Sequence, residues 1–239
     1  MKLIITETHQ TLSFKTRPDG ANPAWWLDLD LNGQPIYRIG NVCGTCEAMF
    51  QSVSDANLPL TPSELSAQLG LGLKIITPEI TNTVSKILPE GTYHVGLINI
   101  QPELKRTATD PLYSRGHPEY YWISSEKLGL GCDYESELIL PIVSENRLSP
   151  ERIEWYQSML NWGESPTALA LSYLDIRVVS GHASVLNVVH FLLDGHHKML
   201  AASKENKPLT LLSFFTTDNS FADKQTIKML IAMRYPDSM

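Results

Sequence analysis

Five consecutive residues, Asp194, Gly195, His196, His197 and Lys198, end an apolar run and directly precede a helix-forming stretch. Glycine lets the backbone turn tightly and approach a ligand, and the free N–H groups at a helix start attract anions. Histidine and lysine add side-chain donors. The stretch therefore predicts a phosphate site. The alternative interpretation is a helix start that binds no ligand.

Each residue of this stretch has an expected role in the phosphate site. We expect Gly195 to give backbone approach and Lys198 to neutralise charge. His196 and His197 are expected to contact phosphate. Asp194 has three open roles: it caps the helix, holds a histidine tautomer or binds a metal.

A second group with potential chemistry is Cys43-Gly-Thr-Cys46, between an expected strand and an expected helix. Two thiols at a helix start have a lowered pKa and can exchange disulfides. Zinc is the alternative, with Cys43 and Cys46 as ligands and the remaining ligands drawn from Cys132 and either His94 or His117. An incidental pair of cysteines is the third interpretation.

Several other polar residues are weaker candidates. The segment from Arg115 to Trp122 combines an arginine, a histidine and aromatic side chains, and we expect its aromatics to pack on the core. Glu145, Glu151 and Glu154 flank a helix, where carboxylates usually face solvent. His190 lies inside an apolar strand and is expected to be a satisfied core histidine.

The first part of the chain is predicted to be rich in strands. Residues 26–39 alternate polar and apolar around Asn32-Gly33, which is typical of a hairpin. A short helix is expected over Glu47–Val53. Thr61 and Thr77 each precede a proline and are expected to cap helices, and residues 91–103 contain a strand.

The last part of the chain alternates between strands and helices. Ser149 is expected to cap a helix that Gly163 ends. Apolar strands are expected in the three stretches ELILPIV, SPTALALSYLDIRVV and VVHFLLD. The stretch HHKMLAASKEN is then expected to be a helix, PLTLLSFFTT a strand, and ADKQTIKMLIAMRY a closing helix.

This order of elements around Asp194-Gly195-His196-His197-Lys198, with Ala201 and Ala202 following, resembles the ParB/sulfiredoxin-like fold over residues 137–217. That resemblance implies a site for a nucleotide or phosphorylated small molecule. It also implies phosphoryl transfer or nucleotide hydrolysis with Mg²⁺ as cofactor. Asp194 and His196 are then the catalytic candidates, and Gly195, His197 and Lys198 bind the ligand.

The chain departs from this family at three points. The arginine of the family's Gly-x-x-Arg motif is Lys198 here, which removes the planar, bidentate grip on phosphate. His196 stands where sulfiredoxins have cysteine, which excludes their reductase chemistry. The helix-turn-helix that follows the ParB nucleotide domain has no counterpart, which argues against chromosome partitioning.

Composition sets the broad class of the protein. The 239 residues are 43% hydrophobic with a net charge of −7, which indicates a globular core and argues against a nucleic-acid partner. The short apolar start is not typical of a signal peptide, and no apolar run has membrane-spanning length. We therefore expect a cytoplasmic protein with no membrane partner.

The predicted fold class is α+β. It comprises a strand-rich part with the cysteine pair (1–103), a loop-rich connection (104–136) and a ParB/sulfiredoxin-like domain (137–239). The leading function is binding of a nucleotide or phosphorylated small molecule, with possible Mg²⁺-dependent phosphoryl transfer. The alternatives are a non-enzymatic zinc- or thiol-containing interaction module and a thiol oxidoreductase.

Overall fold

The computed structural model describes residues 1–6, 11–17, 25–40, 49–56, 60–106, 119–123, 128–178 and 183–236. Twelve strands lie in these ranges: β1 (Lys2–Ile5), β2 (Leu12–Thr16), β3 (Trp25–Leu31), β4 (Gln34–Gly40), β5 (Met49–Ser52), β6 (Gly91–Ile100), β7 (Pro102–Arg106), β8 (Glu119–Ile123), β9 (Tyr134–Pro141), β10 (Thr167–Val178), β11 (Ser184–Asp194) and β12 (Leu209–Thr216). Five α-helices accompany them: α1 (Ser63–Leu71), α2 (Pro78–Ser85), α3 (Pro150–Asn161), α4 (His196–Glu205) and α5 (Lys224–Arg234), with one short 3-10 helix at Glu145–Arg147. The predicted α+β class is confirmed. Among the described residues, no helix combines the length and apolar character that a membrane crossing requires.

An eight-stranded mixed sheet forms the centre of the fold, in the order β1-β6-β12-β10-β11-β9-β8-β7. The pairs β10/β12 and β11/β9 are parallel, and β10/β11 is antiparallel. Residues from Thr167 to Asp175 of β10 are all buried. This explains why the β10 sequence is a continuous apolar run: both of its faces are covered.

Successive residues of β10 point into two separate hydrophobic cores. Leu169, Leu171 and Tyr173 pack with β3, β4, α1 and α2, whereas Ala168, Ala170 and Leu174 pack with α3, α4 and α5. The first core includes the four-stranded antiparallel sheet β2-β3-β4-β5. The molecule therefore has helices on one face of the large sheet and a small sheet with two helices on the other.

Four local predictions are confirmed by the structure. Asn32 and Gly33 form the hairpin turn between β3 and β4, with φ values of 51° and 78°, as a type I′ turn requires. The Thr77 hydroxyl accepts the Ile80 N–H at the start of α2, and the Ser149 hydroxyl accepts the Arg152 N–H at the start of α3. Gly163 follows α3 with φ 88°.

Two local predictions are wrong. The helix expected over Glu47–Val53 is replaced at residues 49–52 by β5, which pairs with β4 through contacts such as Ile39↔Phe50. Pairing with a distant strand outweighs the local helix pattern there. Thr61 does not cap α1, whose N-cap residue is Pro62 without a side-chain cap. The Thr61 hydroxyl instead donates to Asp194 at 2.6 Å.

The large sheet is continuous across both predicted domain boundaries. Position 103 lies within β7 and position 136 within β9. Strands β6 and β12 pair from Leu209↔Ile100 to Thr216↔Tyr93, which joins the first predicted segment to the last. The segment predicted as a loop-rich connection therefore contributes β8 and parts of β7 and β9 to the sheet.

A chain of buried polar side chains crosses this sheet on the side of α5. The His190 ring makes two hydrogen bonds: Nδ1 lies 2.6 Å from Ser172 Oγ, and Nε2 lies 3.1 Å from Glu137 Oε1. Ser172 continues to Ser213, and Ser213 to the Tyr235 hydroxyl, each at 2.7 Å. Arg234 pairs with the second Glu137 oxygen. His190 is fully buried, which confirms the expected satisfied core histidine.

Replacing Glu137 with leucine tests how much this chain stabilises the fold. Glu137→Leu removes the acceptor for His190 and Arg234, so we expect the free energy of unfolding to fall by about 3 kcal/mol. Chemical denaturation measures this loss. The control is Glu154→Leu on the exposed side of α3, which should change the stability by less than about 0.5 kcal/mol. Equal effects of the two substitutions would contradict a stabilising role.

Candidate functional site

The junction between β11 and α4 positions all five residues of the predicted phosphate site. Asp194 is the last residue of β11, and Gly195 is the N-cap of α4 with φ 96°. A Cβ at Gly195 would lie 2.8 Å from the Ala168 Cβ and 3.0 Å from its Cα. The glycine is therefore needed because the backbone at this position packs closely against β10.

Asp194 and Lys198 form an ion pair at this junction, with Lys198 buried and Asp194 partly buried. The Lys198 ammonium lies 3.2 Å from Asp194 Oδ1 and donates to the Thr167 carbonyl at 2.8 Å. Only 2% of Lys198 is exposed. Burial alone would raise the pKa of Asp194, but Lys198 and the Thr61 and Ser66 hydroxyls hold that pKa below its usual value. Of the roles considered for Asp194, capping α4 is wrong, because α4 has no side-chain cap.

His197 connects the starts of α3 and α4. The Ser149 N–H donates to His197 Nε2 at 3.0 Å, so the neutral ring carries its proton on Nδ1. Burial lowers the pKa of His197, and the nearby Arg152 lowers it further. His197 therefore offers a ligand one remaining donor, Nδ1–H.

His196 is buried and lacks a partner for one ring nitrogen. The residue is 4% exposed, and within the described part of the chain its Nε2 has no hydrogen-bond partner. Burial lowers the pKa of His196 to about 4. The ring is therefore neutral at physiological pH, and an unpaired buried nitrogen of this kind is destabilising.

These residues line one cleft of about 340 Å³. Arg147 and Arg152 lie on its solvent-exposed rim. The first helical bond of α4 runs from the Met199 N–H to the Gly195 carbonyl, so the earlier N–H groups have no intrahelical acceptor. The Arg147 guanidinium donates to the Ala56 carbonyl at 3.3 Å and lies 3.8 Å from Asp55, which balances part of its charge. The helix-start N–H groups and the exposed guanidinium groups line the same cleft, which suits an anion.

Sequence reasoning did not assign Thr61, Arg147, Arg152 and Tyr156 to this site. The hydroxyl of Thr61 reaches Asp194 across 133 positions of sequence, and the ring centroid of Tyr156 lies 5.9 Å from the Lys198 ammonium. Both arginines lie close to the start of α3. Because helix starts bind anions, this position in the sequence was the signal that could have identified them. The distance in sequence between these residues and Asp194 forms no recognisable motif, because they meet only in the folded structure.

Other candidate residues lie away from the cleft or outside the described residues. Cys43, Cys46, Arg115 and His117 lie outside the described residues. Tyr120 and Tyr121 are buried, as the packing interpretation predicts. Glu145 pairs with Arg106 at 2.6 Å, Glu151 is exposed, and Glu145 and Glu154 line a different surface pocket.

Cys132 and His94 are too far apart to share a zinc ion. Cys132 lies just before β9 and His94 lies in β6, and three strands separate β6 from β9. Four inter-strand spacings amount to about 19 Å, beyond the reach of two side chains on one ion. Burial raises the pKa of Cys132, which disfavours its thiolate. Metal binding at Cys43 and Cys46 stays a prediction.

The cleft does not present a donor set suited to Mg²⁺ by itself. Asp194 is its carboxylate, and the Lys198 ammonium already neutralises that group at 3.2 Å. The described residues contain no cluster of three or more histidine, cysteine, aspartate or glutamate side chains placed for a metal ion. The Lys198 ammonium at 3.2 Å opposes binding of a cation by Asp194.

Comparison with known proteins adds no family assignment. We found no match to a protein-family model, to a curated protein or to a solved structure. Any functional proposal therefore depends on the geometry of the cleft.

Gly195→Ala tests the packing of the junction. The substitution places a Cβ against Ala168 and forces a left-handed residue without glycine, so we expect a loss of about 2–4 kcal/mol in unfolding free energy. Gly163→Ala is the matched control. Gly163 has a similar φ of 88° and open space around its Cβ position, so the loss should be about 1 kcal/mol. Equal losses would show that Ala168 is not a constraint.

The buried His196 predicts a specific pH dependence of stability. Its pKa falls from 6.5 to about 4 in the folded protein. Between these pH values the unfolded chain binds a proton that the folded ring does not, so stability decreases as pH falls, by up to about 3 kcal/mol. Above pH 6.5 this contribution is constant.

Comparison with His196→Leu isolates that effect. Urea denaturation from pH 7.5 to 4 should show a smaller decrease for the variant than for the wild type. The variant should also be at least as stable at pH 7.5, because an unpaired buried nitrogen is removed. Parallel pH profiles would mean that His196 titrates normally.

Proposed function

We propose that this protein binds a nucleotide or another phosphorylated small molecule in the cleft at the start of α4. One observation carries the proposal: the uncapped N-terminus of α4 opens into a cleft that also holds Arg147 and Arg152. Guanidinium groups and helix-start N–H groups are both preferred partners of phosphate oxygens. The cytoplasmic location predicted from sequence would give access to such ligands.

The ParB/sulfiredoxin-like resemblance agrees with this proposal, because both place the ligand at the residues that follow Asp194. The structure differs from that resemblance in which residues would contact the phosphate. Lys198 already has Asp194 and Thr167 as partners, and it is buried. Arg147 also has partners, the Ala56 carbonyl at 3.3 Å and Asp55 at 3.8 Å, but it is exposed, as Arg152 is. These two arginines therefore supply the accessible positive charge. Phosphoryl transfer stays a prediction, and binding is the function that the cleft supports best.

Thermal unfolding with a ligand panel tests the proposal. We expect ATP, ADP, AMP, CTP or GTP, with or without Mg²⁺, to raise the melting temperature. A ligand at about one hundred times its Kd stabilises by about 2.7 kcal/mol, which corresponds to a rise of roughly 5–10 °C for a chain of this length. In the double variant Arg147→Ala/Arg152→Ala, affinity should fall at least about tenfold.

The double variant Lys224→Ala/Lys228→Ala is the control for net charge. It removes two exposed positive charges from α5, outside the cleft, and should retain the wild-type response. No response to any phosphorylated compound would refute the proposal. A response that both double variants reduce equally would show non-specific attraction of anions.

A further inference from the structure

The first turn of α3 lacks the acceptor that usually completes a helix start. In a capping box, a serine at the N-cap is followed three residues later by glutamate or glutamine, whose side chain accepts the N–H of that serine. Ser149 is the N-cap of α3, and its hydroxyl accepts the Arg152 N–H at 3.3 Å. Arg152 occupies the position of the glutamate, and its side chain has no acceptor atom. The second half of the capping box is therefore absent from α3.

His197 of α4 supplies the missing acceptor. Its Nε2 accepts the Ser149 N–H at 3.0 Å, across 48 positions of sequence. The start of α3 is therefore completed by a side chain from another helix. This contact joins the first turn of α3 to the first turn of α4, and residues of both turns line the same cleft.

The residue that this contact positions is Arg152. Burial is the main cause of the lowered pKa of His197 and of Lys198, and the Arg152 guanidinium lowers both further. A solvent-exposed charge acts in this way only over a short distance, so the guanidinium lies close to the start of α4. Arg152 itself lines the cleft together with His197 and Lys198.

Arginine is an unfavourable residue at this position for folding alone. The first turn of a helix lies at the positive end of the helix dipole, which favours acidic side chains and disfavours cations. Glu151 follows this preference, whereas Arg152 does not. Arg147 adds a second cation just before the helix, and Asp55 balances it only in part at 3.8 Å. A bound anion would offset the unfavourable placement, and residues that break a local rule in this way mark functional sites.

We infer that His197 is a positioning residue of the anion site: by accepting the Ser149 N–H, it holds Arg152 beside the start of α4. This inference rests on the proposed function. It adds a role that is exerted through Arg152 and is separate from any contact of His197 with the ligand. The role requires the uncharged ring, because an imidazolium has no acceptor atom. The lowered pKa of His197 keeps the ring uncharged at physiological pH.

A double-mutant cycle tests whether His197 acts through Arg152, with affinities measured by NMR titration of AMP and of inorganic phosphate. In the wild-type background, His197→Leu should reduce both affinities at least about fivefold, the effect of one lost hydrogen bond. In an Arg152→Ala background, His197→Leu should change them less than about twofold, because the residue to be positioned is absent. His197→Gln keeps an acceptor oxygen at the end of its side chain and should retain most of the wild-type affinity.

Two controls separate positioning from a general effect on folding. Glu137→Leu lowers the stability but lies outside the cleft, so it should bind both probes as the wild type does. The Ser149 amide proton reports the contact without any ligand. Its NMR resonance should move upfield in His197→Leu and change little in His197→Gln, because only leucine removes the acceptor. An unchanged resonance in His197→Leu would contradict the contact.

The outcomes distinguish this inference from the proposed function. If both probes bind and His197→Leu reduces affinity equally in the wild-type and Arg152→Ala backgrounds, positioning of Arg152 is refuted while the phosphate site stands. The same conclusion follows if His197→Leu has no effect on affinity, or if His197→Gln binds as weakly as His197→Leu. If neither probe binds wild-type protein at millimolar concentration, both proposals are refuted.

Discussion

The largely buried ion pair between Asp194 and Lys198 is the interaction on which the arrangement of the cleft depends. It connects the end of β11 to the first turn of α4, and Lys198 extends it to β10 through the Thr167 carbonyl. Thr61 adds the segment that leads into α1. Burying two charges is costly unless both are paired and their remaining hydrogen-bonding positions are used. Here each group has a second partner, so the pair fixes one geometry for the junction.

This pairing also determines which residues are available to a ligand. Lys198 cannot serve a phosphate without weakening its contacts to Asp194 and Thr167, and Asp194 is not free to hold a cation. The accessible positive charge therefore lies at Arg152, at the start of α4 and at Arg147, whose charge Asp55 balances in part at 3.8 Å. The neutral His196 lines the same cleft beside apolar residues. A single, largely buried pair thus determines which charges of the cleft a ligand can meet.

Local features of the sequence were sufficient to predict much of the fold. The Asn32-Gly33 turn, the caps at Thr77 and Ser149 and the buried strand β10 each depend on residues a few positions apart. The position of the site residues at a strand-to-helix junction follows from the same kind of pattern. His190 could be assigned to the core because apolar residues surround it in sequence.

Features that depend on tertiary contacts could not be predicted from these patterns. Residues 49–52 form a strand because β4 offers backbone partners, and Thr61 turns from α1 to Asp194 because folding brings that carboxylate within 2.6 Å. Arg147 and Arg152 resemble ordinary surface residues in sequence. They belong to the cleft only because α3 packs beside α4.

Backbone amide NMR during titration with AMP tests the central claim most directly, because it reports where the ligand binds. We expect saturable shifts to be largest at the amides of His196, His197 and Lys198, where the free N–H groups of α4 would meet phosphate oxygens. Smaller shifts should occur at the amides of Arg147 and Arg152. Saturable shifts confined to another part of the molecule, or none at millimolar AMP, inorganic phosphate and ribose 5-phosphate, would contradict a phosphate site at the start of α4.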